Sequence, residues 1–110
     1  MPSRPTPRTL FGRRLREARL KQGIAQDKLG VLIGLDELSS SARISRYETG
    51  IHAPPFAVVE RLSAALHVPP AYFYCESDEM AELVVGFASL PGPAQARLLQ
   101  SLVELSQGSV

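Results

Sequence analysis

The chain contains one cysteine and no tryptophan, and aromatic residues make up only 6% of it. With Cys75 alone, no intrachain disulfide can form, which fits a reducing compartment. Cys75 reads as a small buried apolar residue, with a redox switch as the alternative. Long hydrophobic runs are missing too: none approaches the ~20 residues needed to span a bilayer. The basic N-terminus has no continuous apolar core before Arg13 and Arg14, so it does not read as a signal peptide. The expectation is a soluble, cytoplasmic protein without a membrane segment. Clusters that carry chemistry are scarce as well. Neither His52 nor His67 has an Asp or Cys at triad or ligand spacing. With Cys75 they are too few for a metal site, and there is no glycine-rich phosphate loop. These absences speak against an enzyme, a metal centre and a bound cofactor.

What is present is an apolar content of 45% over 110 residues, enough for a modest core in one domain. Net charge is only +1, but it is unevenly spread. Residues 1–28 carry eight Lys/Arg against Glu17 and Asp27, whereas residues 69–110 carry Arg97 against five acids. A basic front and an acidic back fit a DNA-facing side and a side kept off DNA. They equally fit ordinary solvated helix faces.

Residues 1–8 hold three prolines and two arginines without periodicity, and read as an arm. Such an arm either touches phosphates or a minor groove, or is a plain tail. A first helix is predicted over Thr9–Lys21, capped by Thr9, with Phe11, Leu15 and Ala18 at helical spacing. Gly23 breaks it. A second helix follows over Ala25–Ile33, with Leu29, Leu32 and Ile33 turned inward. The stretch Ser40–Gly50 reads as a short third helix. Ser39, Ser40 and Ser41 are candidate caps, and Gly50 is suited to a left-handed end. Ile44 and Tyr47 share the inner face, which leaves Ser41, Ala42, Ser45 and Arg46 outside. That small, polar, arginine-bearing face suits the DNA major groove.

Beyond Pro54 and Pro55, the residues Val58, Val59, Leu62, Ala65 and Leu66 mark a fourth helix. Ala71–Tyr74 is a short aromatic fifth helix that closes the core. Ser77 caps a sixth helix with Met80, Leu83, Val84 and Phe87 as its apolar face. After the Pro91–Pro93 break, Ala94–Ser106 forms a last helix. Its Leu98, Leu99, Leu102, Val103 and Leu105 exceed one narrow stripe, which points to a homodimer. The expected organisation is an arm (1–8), a helix-turn-helix DNA-binding domain (9–75) and a C-terminal helical extension for dimerisation (76–110).

Taken in order, Gly23-Ile24-Ala25-Gln26, Leu29, Gly34, Ile44-Ser45-Arg46-Tyr47-Glu48 and Gly50 resemble the Cro/CI-type, or XRE, helix-turn-helix family of lambda-repressor-like proteins. The resemblance runs from about Leu10 to Tyr74. It implies an all-α fold: a five-helix domain, here with two extra C-terminal helices. It also implies a sequence-specific, repressor-like transcriptional regulator that binds double-stranded DNA as a dimer on a palindromic operator. Ser41, Ala42 and Arg46 match base-contacting positions, and Ser45, on the same face, is the fourth candidate base contact. Gln26, Arg43 and His52 are the candidate phosphate contacts. Arg19 and Glu48 match a structural ion pair.

Three departures stand out. Ala25 replaces the family's Ser or Thr cap, a loss of ~1 kcal/mol for the second helix. Gly30 stands where the family favours alanine. The spacing from Gly34 to Ile44 is longer by about four residues than the family's helix-turn-helix. Either the second helix runs on, or the turn becomes a loop. Asp36 and Glu37 then lie near the reading head, to cap the third helix or to meet a partner subunit. Two alternative functions are the antitoxin of a toxin–antitoxin pair, with a protein partner, and a protein-interaction module that kept the fold without binding DNA.

Overall fold

The Thr9 hydroxyl accepts the Gly12 N–H at 3.0 Å and opens α1, Leu10–Lys21. The computed structural model describes residues 6–108. The arm expected over residues 1–8 thus lies outside the described residues up to residue 5. Thr6, Pro7 and Arg8 form no helix or strand, and the Arg8 N–H donates to the Thr49 carbonyl at 3.4 Å.

The helix α2, Gln26–Leu32, begins at Ala25 with no side-chain cap, as the sequence led one to expect. It then stops abruptly. Gly34 adopts φ +91°, a left-handed conformation that residues with a Cβ avoid. Its N–H donates to the Val31 carbonyl at 3.0 Å, and the Leu35 N–H donates to the Gly30 carbonyl at 2.9 Å. This paired closure satisfies the last carbonyls and turns the chain in two residues. The surplus before Ile44 therefore lengthens neither α2 nor the turn. It is taken up by α3, which spans Glu37–Thr49 and starts from Asp36. Ser39, Ser40 and Ser41 are not caps, contrary to expectation, but lie inside the helix. Asp36 holds the cap position without a side-chain capping bond. Glu37 places its charge in the first turn, where the helix dipole favours it. At the other end Gly50 is left-handed, as expected.

Two more elements complete the core: α4, Phe56–Leu66, and a 3-10 helix, Pro70–Tyr74. Leu15, Leu29, Ile44, Leu62, Leu66 and Phe73 are fully buried. The Phe11 and Phe73 rings meet at 5.0 Å between centroids. Leu32 was expected inside but is 60% exposed; on so short a helix Leu29 and Ile33 fill the inner face. His67 ends α4 in a left-handed conformation. Cys75 is buried and its thiol donates to the Ala71 carbonyl at 3.3 Å.

The extension consists of α5, Asp78–Ser89, and α6, Gly92–Gly108. Ser77 caps α5 as predicted, accepting the Met80 N–H at 3.1 Å. The predicted inner face is rotated, however. Ala81 is buried, with Val84 and Val85 packed on the core, while Met80 and Leu83 are exposed. The cause is Arg14, only 2% exposed despite its charge. Its Nη1 donates to Asp78 at 2.9 Å and to Glu17 at 3.0 Å, and its Nε donates to the Cys75 carbonyl at 3.0 Å. Pinning Asp78 to α1 turns Ala81, three residues on, toward the core. Burial opposes the Arg14 charge, but the hydrogen bonds to Asp78 and Glu17 outweigh it and raise its pKa. Beside it, burial and then the Glu17 carboxylate push the Tyr72 phenol above its ordinary value. The helix α6 buries no residue, and the described chain is elongated, 53 × 27 × 24 Å. Among the described residues the fold is all-α, and no helix is long and apolar enough to cross a membrane.

Candidate nucleic-acid interface

Glu48 sits at the crossing of the first three helices with 0% exposure. A carboxylate in such a place needs every lone pair answered. Arg19 of α1 donates from Nε to Oε2 at 2.5 Å and from Nη2 to Oε1 at 3.1 Å. Arg16, one turn earlier, donates from Nε to Oε1 at 3.2 Å. Gln26 of α2 donates from Nε2 to Oε1 at 3.1 Å. Arg19 also reaches the Ile24 carbonyl at 3.0 Å, so one guanidinium ties α3 to the loop before α2. The sequence resemblance indicated Arg19 and Glu48. It gave no sign of Arg16 or Gln26 as further partners, because their spacing to Glu48 is set only by the fold.

This hub holds the inner face of α3 while its outer face stays open. Ser41, Ala42, Arg43 and Arg46 are exposed, and Ser45 is half-buried. Gln26 bridges the two faces: its amide nitrogen is on Glu48, and its oxygen accepts the Ser41 hydroxyl at 3.4 Å. Gln26, Ser41 and Ser45 line a polar recess of about 290 Å³ with Arg16, Arg19 and Asp27. His52 is exposed just past α3, its N–H donating to the Arg46 carbonyl at 3.3 Å. Ser40 points inward and donates to the Asp27 carbonyl, locking α3 against α2. The structure thus gathers Gln26, Ser41 and Ser45 at one recess. Ala42, Arg43 and Arg46 lie along the open helix beside it, and His52 is at its far end. No His, Cys, Asp or Glu cluster of metal-binding size occurs among the described residues.

An exposed small-residue helix, braced from behind and preceded by a short helix and a tight turn, is the geometry of a helix-turn-helix reading head. A family model described as a helix-turn-helix domain matches residues 10–72. The chain belongs to this family and is an XRE-like helix-turn-helix DNA-binding protein. Among solved structures it is similar to one titled as the crystal structure of transcriptional regulator BswR. The two are 40% identical, with a TM-score of 0.82, over 88% of this chain and 98% of that one. A comparison with curated proteins gave no match.

Proposed function

We propose that this protein is a transcriptional regulator that binds a palindromic operator as a homodimer and acts in a repressor-like manner. The observation that carries the reading is the outer face of α3: Ser41, Ala42 and Arg46 are exposed while Ile44, Tyr47 and Glu48 anchor the opposite side. The similarity to a structure titled as a transcriptional regulator supports it. Two such faces would enter successive major grooves ~34 Å apart. Affinity should fall steeply with salt as phosphate contacts release counterions.

Arg46 is the residue assigned to base readout, since a guanidinium pairs with the guanine edge through two parallel bonds. Arg46→Ala is expected to weaken the specific site by ~1–3 kcal/mol and relax preference at one position per half-site. Arg43→Ala, which would remove a phosphate contact, should weaken all sequences alike; Gln26→Ala should do the same and also cost the hub its hydrogen bond to Glu48. A binding series on the operator and its single-base variants at fixed salt separates these outcomes. Uniform weakening by Arg46→Ala would make that residue a phosphate clamp.

The dimer is assigned to α5 and α6. Leu99, Leu102, Val103 and Leu105 are exposed along α6, and Leu83 adds to them from α5. A charge placed on this face is tolerated in a monomer and disruptive in a buried interface. Leu99→Glu with Leu102→Glu should therefore yield a folded monomer by light scattering, with weakened operator binding. A wild-type monomer at micromolar concentration would overturn the assignment.

A further inference from the structure

The four-residue departure before α3 has become helix, and it carries a side chain that nothing in the chain holds. Leu38, in the added first turn, is 95% exposed, the most of any large hydrophobic residue described. A lone exposed leucine is ordinary; the place of this one is not. Leu38 precedes Ala42 by four residues and Ser41 by three, so it shares their outer face. It extends that face by about 6 Å beyond Ala42, close to two base-pair steps. In helix-turn-helix proteins the N-terminal residues of the second helix approach the base edges, which is the end that Leu38 occupies.

The other end of the face is partly closed. Thr6, Pro7 and Arg8 lie across it, forming a recess with Ser45, Thr49 and Ile51. Thr49 is buried there, and its carbonyl accepts the Arg8 N–H at 3.4 Å. The open part of α3 is therefore shifted toward Leu38. The neighbouring charges point to the same surroundings. Asp36 and Glu37 would be repelled by a phosphate strand, but a carboxylate accepts from the amino group of cytosine on the groove floor. The leading turn is thus compatible with base edges and ill suited to lie along the backbone.

We propose that Leu38 contacts the 5-methyl group of a thymine in the major groove, so that the added turn widens the sequence read by α3. The proposal rests on the DNA-binding reading above. Deoxyuridine tests it directly, because it differs from thymidine only by that methyl. A binding site is first selected from random duplexes with the full-length wild-type chain. Each thymine of a half-site is then replaced by deoxyuridine, and binding of wild type and Leu38→Ala is measured. At one thymine per half-site, wild type should lose about three- to fivefold in affinity, the worth of one buried methyl, and Leu38→Ala should lose nothing further. Thermal unfolding of Leu38→Ala should match wild type, because the side chain has no neighbours to lose. Insensitivity of wild type to every deoxyuridine overturns the proposal, as does a variant that keeps the wild-type profile. If wild type enriches no sequence at all, the DNA-binding reading falls first and takes this proposal with it.

Discussion

Glu48→Ala should be among the most damaging single substitutions in the chain, destabilising it by ~3–5 kcal/mol. The carboxylate is fully buried and answers Arg19, Arg16 and Gln26 at once. Its removal leaves the Arg19 guanidinium, 4% exposed, in the interior without its counter-charge. The reverse deletion is milder. In Arg19→Ala, Glu48 keeps Arg16 and Gln26, so part of its desolvation stays compensated. Urea denaturation of the two variants should rank Glu48→Ala below Arg19→Ala, and both below wild type. Equal midpoints for all three would show that the hub contributes nothing to stability.

Gly12→Ala should also destabilise the chain, by less and for an unrelated reason. A Cβ at position 12 would stand 2.1 Å from the backbone oxygen of Glu48 and 2.8 Å from its carbonyl carbon. Backbone cannot rotate aside, so α1 and α3 must separate. Overpacking of this kind costs ~1–3 kcal/mol and occasionally more. The gain in helix propensity from glycine to alanine, about 1 kcal/mol, offsets only part of it, since the clash is with backbone. Because α3 is shifted as a body, DNA binding should weaken even at temperatures where the variant stays folded. Gly30 is a second close approach: a Cβ there would meet the Ser40 hydroxyl at 1.8 Å. The alanine that the family favours at this position does not suit a chain whose opposing residue is Ser40. Wild-type stability and affinity in Gly12→Ala would mean that the two helices have slack.

The sequence was most informative where a local rule has one solution. Thr9 and Ser77 cap their helices, Gly50 ends α3, and Ala25 leaves α2 uncapped. It misled where local rules have two. The run Ser39-Ser40-Ser41 serves equally as cap or as helix interior. What decides is the closure at Gly34 and Leu35, whose hydrogen bonds cannot be read from residue type. Helical spacing gave α5 an apolar stripe but not the angle at which it meets the core. That angle follows from Arg14, a residue that reads as solvated until Asp78 is brought to it across the fold. The outer face of α3 was legible because small and polar residues cannot anchor a helix. Leu38 was not, because a leucine beside a turn gives no hint of which way it points.

The joint between Arg14 and Asp78 also has a mechanical side. Beyond the packing of Ala81, Val84 and Val85 little holds the extension, and α6 has no fully buried residue. The two helices therefore behave as a stiff handle on a small pivot. With a length of about 25 Å, α6 swung by about 10° carries its tip about 4 Å, roughly one base-pair step. In the proposed dimer gripped by these handles, the stiffness of this small joint, Asp78 on Arg13 and Arg14 with Ala81, Val84 and Val85 behind it, would set how strictly the spacer between half-sites is measured. A loosened pivot would make the pair of reading heads tolerant of spacers one base pair longer or shorter, without altering a single residue that touches DNA.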